Sequence, residues 1–333
     1  MFAVLMPIGP GDVHVARMAD SLETVRACEA SEEIHLVLVD DHPTPRDLSK
    51  RVGADGWASL DVLRTPLWQD GAPDPYSAMV AGTIEGMRAA ARHQPEFVLK
   101  LDTDTVMIGP VAHKLRRVFV EDRIGMVGSY TKTCAGDRRD WHLWEKRLRR
   151  ATRTIAPSRR RVLRVRSPRD AREVRRMITV ARRNGYEWGA HCLGGAYAVG
   201  PRLLEREDLL DWKPWVRTAI GEDVVVGLLS FAAGLHVRGH VEPGDPFALG
   251  WTSLPLPPEE IVARGYSLVH PLKDQAYGDE RELREFFRRR LVPRRDLQQA
   301  NTAASGAPRN LRRRATSAVG GTGGGARPTR SSS

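Results

Sequence analysis

Cysteine is scarce and long apolar runs are missing. Cys28, Cys134 and Cys192 are the three cysteines, far apart, odd in number and outside any CxxC spacing. That argues against a disulfide framework or a cysteine zinc site and fits a reducing cytosol. No uninterrupted apolar stretch approaches the ~20 residues that span a bilayer, so the chain is expected to be soluble or at most peripheral to a membrane. The opening MFAVLMPIGPGD is apolar only to Ile8 and has no basic start, which predicts a first strand in place of a signal peptide. The glycines of the first half form neither GxGxxG nor GxxxxGK(S/T), so neither a dinucleotide fingerprint nor a P-loop is present. Helix-turn-helix, zinc and RNP signatures are absent as well. Acids are in deficit: 41 Asp and Glu face 52 Lys and Arg, a net charge of +11. Such a field favours acidic partners without choosing among nucleotide, anionic lipid and nucleic acid.

What is present is enough for a full core. The 333 residues are 41% hydrophobic and 28% charged, ordinary for one large globular domain or two small ones. Apolar runs at Phe2–Met6, Ile34–Val39, Leu60–Leu63 and Gly125–Tyr130 read as strands. Helical spacing covers Val13–Ala30, Thr44–Val52, Pro75 to about Arg92 and Val111–Val120. Strands alternating with helices from the first residue predict an α/β fold with a mainly parallel sheet covered on both faces. The first half therefore reads as a Rossmann-like nucleotide-binding unit.

The stretch that organises this reading is FVLKLDTDTVMIGP, Phe97 to Pro110. A short buried-type strand ends in Asp102-Thr103-Asp104, and Gly109-Pro110 then admits a helix. On extended backbone, carboxylates at i and i+2 point to the same side. Just past a strand's carboxyl end they lie where open α/β sheets bind ligands. Their mutual repulsion falls if a divalent cation sits between them, and that cation in turn holds a diphosphate. A strand-to-helix turn with an N-cap aspartate has the same pattern. Asp40-Asp41 repeats the arrangement, either as an acceptor for a base or ribose or as an Asx turn before Pro43.

Further along, Trp141–Arg183 is crowded with arginine and carries weak helical stripes. It predicts a pair of basic amphipathic helices broken at Pro157 and Pro168. Their uses are a solvated face, docking on an anionic membrane or gripping an anionic acceptor, with nucleic acid a distant third. Gly194-Gly195 permits a turn or a close backbone approach before the strand Ala196–Val199. Gly221-Glu222-Asp223 opens a helix, where the acids complement the helix dipole or accept a proton from a sugar hydroxyl. Ser267–Val269 leads into His270, a structural residue or a third ligand for a Mn-type ion shared with carboxylates. From about Val292 the composition is that of a disordered basic tail.

Taken in order, LVLVDD, FVLKLDTDTVMIGP, CLGGAYAVG, GEDVVVG and HPLK resemble the GT-A fold glycosyltransferases, and among them the β-1,3-galactosyltransferase and fringe-like group. At Asp40-Asp41 the chain also looks like the family 2 enzymes. The resemblance implies one catalytic domain over 1–290. Within it lie a nucleotide-sugar half over 1–130, a basic helical insertion over 137–185 and an acceptor half over 186–290, with the tail at 292–333. It implies that Asp104 binds Mn²⁺ or Mg²⁺, with Asp102 at the metal or ribose and His270 completing the ligands. Asp40 or Asp41 would meet the uridine, Lys273 the diphosphate, and Gly194 and Gly195 would let backbone approach donor or acceptor. Asp223 would be the base of an inverting transfer, ahead of Glu222. The partners implied are a UDP-sugar and a glycan or lipid-linked acceptor. The family's three consecutive acids are here Asp-Thr-Asp, and its Golgi-type anchor is missing, so a cytoplasmic, bacterial enzyme at most peripheral to the inner membrane face is expected. The competing readings are a sugar nucleotidyltransferase and a non-catalytic basic module that binds polyanions.

Overall fold

Alternate residues of the first strand set the two faces of the molecule. In the computed structural model, which describes residues 1–68, 74–152, 167–273 and 276–291, Phe2, Val4, Met6 and Ile8 enter one apolar cluster while Ala3 and Leu5 enter another. Both sides of this strand are buried, the condition that makes a parallel-sheet strand apolar throughout.

The elements run β1 Phe2–Ile8, α1 Asp12–Cys28, β2 Ile34–Asp40, α2 Leu48–Val52, β3 Ser59–Arg64, α3 Pro75–Ala91, β4 Val98–Leu101, β5 Val106–Met107, α4 Ala112–Phe119 and β6 Ile124–Gly128. The second half continues with α5 His142–Ala151, α6 Pro168–Arg183, β7 Ala196–Val199, α7 Pro201–Leu204, α8 Glu222–Ala232, β8 His236–Gly239, β9 Phe247–Leu249, α9 Pro258–Ala263, β10 Leu268–His270 and α10 Glu280–Arg288. The main sheet has the order β3-β2-β1-β4-β7-β6-β8, and a small sheet the order β5-β10-β9. Neighbours from β3 to β4 are parallel, and so are β6 and β8. Only β7, inserted between β4 and β6, runs antiparallel to its neighbours. The expected α/β fold with a mostly parallel, helix-flanked sheet is therefore what the chain forms.

Helix α3 lies so close to the sheet that a Cβ at Gly86 would come within 2.3 Å of Leu5. Across the sheet, Phe2 and Phe97 stack at 4.9 Å and Phe97 and Phe119 at 5.8 Å. The basic segment folds as two helices, and their apolar stripes are core. Trp144 and Leu148 of α5 and Val174, Met177, Ile178 and Ala181 of α6 join the cluster that includes α8, with arginines on the outer faces. Pro168 starts α6 at its first turn, where a missing N–H costs nothing, and Ser167 caps it by accepting from Asp170 N–H. The expected break at Pro157 and the basic tail lie outside the described residues.

Candidate active site

The carboxyl ends of β1, β2 and β4, the entry to β7 and the start of α8 meet at one edge of the main sheet. The two aspartates after β4 converge by a turn, and not along the extended backbone that the i, i+2 spacing predicts. Thr105 N–H donates to the Asp102 carbonyl at 3.1 Å and closes the turn. The turn is pinned to the entry of β7: Asp102 N–H and Thr105 Oγ1 both donate to the Gly195 carbonyl at 2.9 Å.

His270 is brought to the same place by the small sheet, because β10 pairs with β5, the strand that follows the turn. Its Nε2 lies 3.3 Å from Asp104 Oδ1 and 3.7 Å from Asp102 Oδ2. The ligand atoms of these three residues fall within 4.8 Å of one another. An octahedral cation with bonds of about 2.1 Å sets neighbouring ligands about 3 Å apart, and the 3.3 and 3.7 Å separations of His270 Nε2 from the two carboxylates are close to that spacing. One buried atom supports that fit: Asp104 Oδ2 makes no hydrogen bond of good geometry, with Lys273 Nζ 3.1 Å away as a charge partner. His270 Nδ1 also has no hydrogen-bond partner, but it packs against Gly195 while Nε2 faces the carboxylates. Burial pushes the Asp104 carboxyl up, but hydrogen bonding and charge from His270, then Lys273, outweigh it and hold Asp104 well below the usual carboxylate range. Ring and backbone fit closely, since a Cβ on Gly195 would overlap the His270 ring at 2.1 Å. The close approach that Gly195 permits is thus to a side chain of the site itself.

On the opposite wall stand Glu222 and Asp223, both buried in the first turn of α8. They differ in what they are tied to. Lys100, on β4 and fully buried, donates to Asp102 Oδ1 at 2.5 Å, the Gly194 carbonyl at 2.6 Å and Glu222 Oε1 at 3.0 Å. Burial alone would lower this ammonium, yet the flanking charges of Asp102 and Glu222 hold it raised. Glu222 is therefore committed to a lysine that it shares, and burial still pushes it up to about 7. Asp223 takes Val224 N–H on Oδ1 at 2.8 Å, while its Oδ2 has only His191 Nε2 at 3.6 Å. Burial, then the Arg139 charge, lower the His191 imidazole well below its ordinary value. Its Nδ1 meets the Gly189 carbonyl at 2.5 Å, which leaves Nε2 to accept from Arg139 Nη2 at 2.8 Å. No cation is thus paired with Asp223 among the described residues, and burial raises it to about 6. A Cβ at Gly194 would stand 3.0 Å from Asp223 Oδ2 and 3.2 Å from Glu222 Oε1, so Gly194 keeps the space before both carboxylates open.

A cavity of about 240 Å³ joins the two walls and is lined by Asp102, His270, Lys273, Gly194, Gly195, Glu222 and Asp223. Asp40 and Asp41 are not brought into it. Asp40 is buried at the end of β2 and accepts from His42 N–H, Arg46 N–H and the Arg46 guanidinium at 2.5–3.1 Å. That guanidinium also donates to the Gly9 carbonyl at 2.9 Å, so Asp40 braces the loops after β1 and β2. Asp41 is part-exposed beside it. Lys100, Arg139 and His191 escaped the sequence reading. Lys100 alone left a signal, as a charged residue inside an apolar strand two positions before the first aspartate.

No protein-family profile matches the chain, and no curated protein does. Solved structures are similar to it at low identity. The galactosyltransferase LgtC in complex with donor and acceptor sugar analogs is 12% identical over 90% of this chain and 99% of that one, at a TM-score of 0.47. The bifunctional glycosyltransferase WbbM is 10% identical over 90% of this chain and 51% of that one, at 0.48. Core-mannan synthase A from Aspergillus fumigatus, in its Mn/GDP form, is 13% identical over 72% of each chain, at 0.38. All three scores lie below 0.5 and carry no weight for activity, so function rests on the residues of this chain.

Proposed function

We propose that this chain is a metal-dependent, inverting glycosyltransferase that moves a sugar from a UDP-sugar to a hydroxyl acceptor. One observation carries the reading: a three-ligand cluster with spare buried lone pairs faces an unpaired, proton-accepting carboxylate across a single cavity. Asp102, Asp104 and His270 would hold Mn²⁺ or Mg²⁺, which supplies Lewis acidity toward charge developing on a leaving diphosphate. Lys273, half-exposed beside Asp104, contacts that diphosphate. The uridine lies over the loop that Asp40 braces, with Asp41 the group offered to base or ribose.

Asp223 Oδ2 takes the proton of the acceptor hydroxyl as its oxygen bonds to the anomeric carbon and the carbon–oxygen bond to phosphate breaks on the far side. The nucleoside diphosphate leaves, and the proton ends on Asp223. An acid raised to about 6 is ionised at neutral pH yet basic enough for this task. Glu222, engaged by Lys100, positions Asp102 through that lysine. Among the described residues no helix is long and apolar enough to cross a membrane. The exposed arginines of α5 and α6 support docking at the inner face of an anionic membrane, where a glycan or lipid-linked acceptor is presented.

The test is nucleotide release from a panel of nucleotide sugars, with Mn²⁺ and with chelator, by the wild-type chain and Asp104→Ala. Metal-dependent release from one donor, lost in the variant, is expected. Silence across the panel together with no binding of UDP–Mn²⁺ by calorimetry sinks the reading, and metal-independent binding of polyanions with a steep salt slope would favour the basic module.

A further inference from the structure

The same cavity has a third wall that the transfer chemistry does not use, and it is aromatic. Trp251 is 60% exposed, unusual for so large an apolar ring. It sits at the cavity mouth with Trp144 and Tyr76. Its ring stacks on Trp144 with centroids 6.3 Å apart and planes 20° from parallel. Tyr76 meets Trp144 edge-on at 6.3 Å, and the Arg147 guanidinium covers both rings at 4.8 and 4.9 Å. Trp144 in turn meets His191 edge-on at 5.8 Å, the imidazole that faces Asp223. The aromatic wall therefore runs without a gap from solvent to the side of the proposed base.

Trp251 is held in place rather than hung on a loose loop. Leu249 is paired with His270 across β9 and β10, and Gly250 N–H donates to the His270 carbonyl at 2.9 Å. The chain then turns so tightly that a Cβ on Gly250 would lie 1.8 Å from the Ser253 carbonyl oxygen, so only glycine fits there. The small sheet that delivers His270 thus delivers Trp251 as well, and fixes the distance between them.

We propose that Trp251 floors an acceptor subsite for the pyranose ring of a saccharide, which offers one hydroxyl to Asp223. This rests on the glycosyl-transfer reading and names its acceptor class. A pyranose has a face of C–H groups, which packs on the negative face of an indole, and a rim of hydroxyls. The subsite matches both: an indole face lies beside carboxylates and backbone carbonyls that accept hydroxyl protons. A lipid chain needs a long apolar groove, whereas this wall is one ring wide and rimmed by charge.

The experiment is saturation-transfer NMR on the full chain with Mn²⁺ and UDP, using the methyl α- and β-pyranosides of glucose, galactose and mannose as probes. Transfer to the ring protons of at least one glycoside is expected, falling about fivefold or more in Trp251→Ala and retained in Trp251→Phe. No transfer to any glycoside, or transfer undiminished in Trp251→Ala, overturns the subsite. Nucleotide release by the wild-type chain separates the two readings: its absence counts against glycosyl transfer, while a sugar signal that depends on Trp251 stands by itself.

Discussion

Asp40 and Asp104 look alike in the sequence and behave in opposite ways in the fold. Each is a buried aspartate at the carboxyl end of an apolar strand, at the same edge of the same sheet. Asp40 finds its partners within its own loop, at His42 and Arg46, and both its oxygens are used. Asp104 meets residues from the far end of the chain, His270 and Lys273, and keeps a buried oxygen without a good hydrogen bond. A carboxylate saturated by near neighbours has the chemistry of a brace. One left with spare lone pairs, among groups gathered from a second sheet, has the chemistry of a ligand.

The largest effect should come at the unsaturated end. Asp104→Ala is expected to cut transfer about a thousandfold or more, the scale of several kcal/mol of lost charge stabilisation, and to abolish Mn²⁺ binding by calorimetry while the chain stays folded. Retained metal affinity would erase the distinction between the two aspartates. The converse change, Asp40→Ala, removes the carboxylate paired with the Arg46 guanidinium, which is only 14% exposed and is left with backbone carbonyls such as that of Gly9. It should cost about 3–5 kcal/mol in urea unfolding while Mn²⁺ affinity, measured without nucleotide, stays near wild type. A stable variant that fails to bind metal would reverse the assignment.

The smallest effect concerns the same contrast on α8. Burial raises Asp223 from its ordinary 3.8 to about 6, so the folded state resists its ionisation. The stability linked to this group is full below about pH 4 and is lost as pH rises through about 6. Asp223→Asn should therefore stabilise the chain at pH 8 by on the order of 1–3 kcal/mol, with no gain at pH 4, even as transfer is lost. In the wild type, transfer should rise with pH through about 6, as the base ionises. A melting temperature unchanged at pH 8 would place Asp223 in a solvated, unstrained setting.

Much of this was legible beforehand because the strands are short, apolar and closed by turn residues. Strand β7 falls at Ala196–Val199 as expected, Asp102, His270, Gly194, Gly195, Lys273, Glu222 and Asp223 border one cavity, and Asp104 clusters with Asp102 and His270 at its wall. What could not be read were roles fixed by pairing across the chain. The saturation of Asp40 depends on the rotamer of Arg46. The burial of Lys100 makes sense only with Glu222 beside it, and His191 and Arg139 are held largely through backbone carbonyls. Such bonds leave no residue pattern. Trp251 was hidden for a different reason, since exposure is a property of the folded surface and a tryptophan alone predicts burial.

The reversed strand β7 also sets the order in which the molecule can be completed during synthesis. Strands β1 to β4 are all made by Leu101 and can pair among themselves at once. Within the main sheet strand β6 emerges next, but its neighbours there are β7 and β8, so it waits. Until Ala196–Val199 leaves the ribosome, β4 has an open edge with unpaired backbone groups, a template for pairing with other chains. The arrival of β7 closes that edge, gives β6 a partner and brings the Gly194 and Gly195 carbonyls to Lys100 and Asp102 in one step. A nascent chain therefore closes the β4 edge and assembles the first half of the candidate site at the same moment, and has neither before.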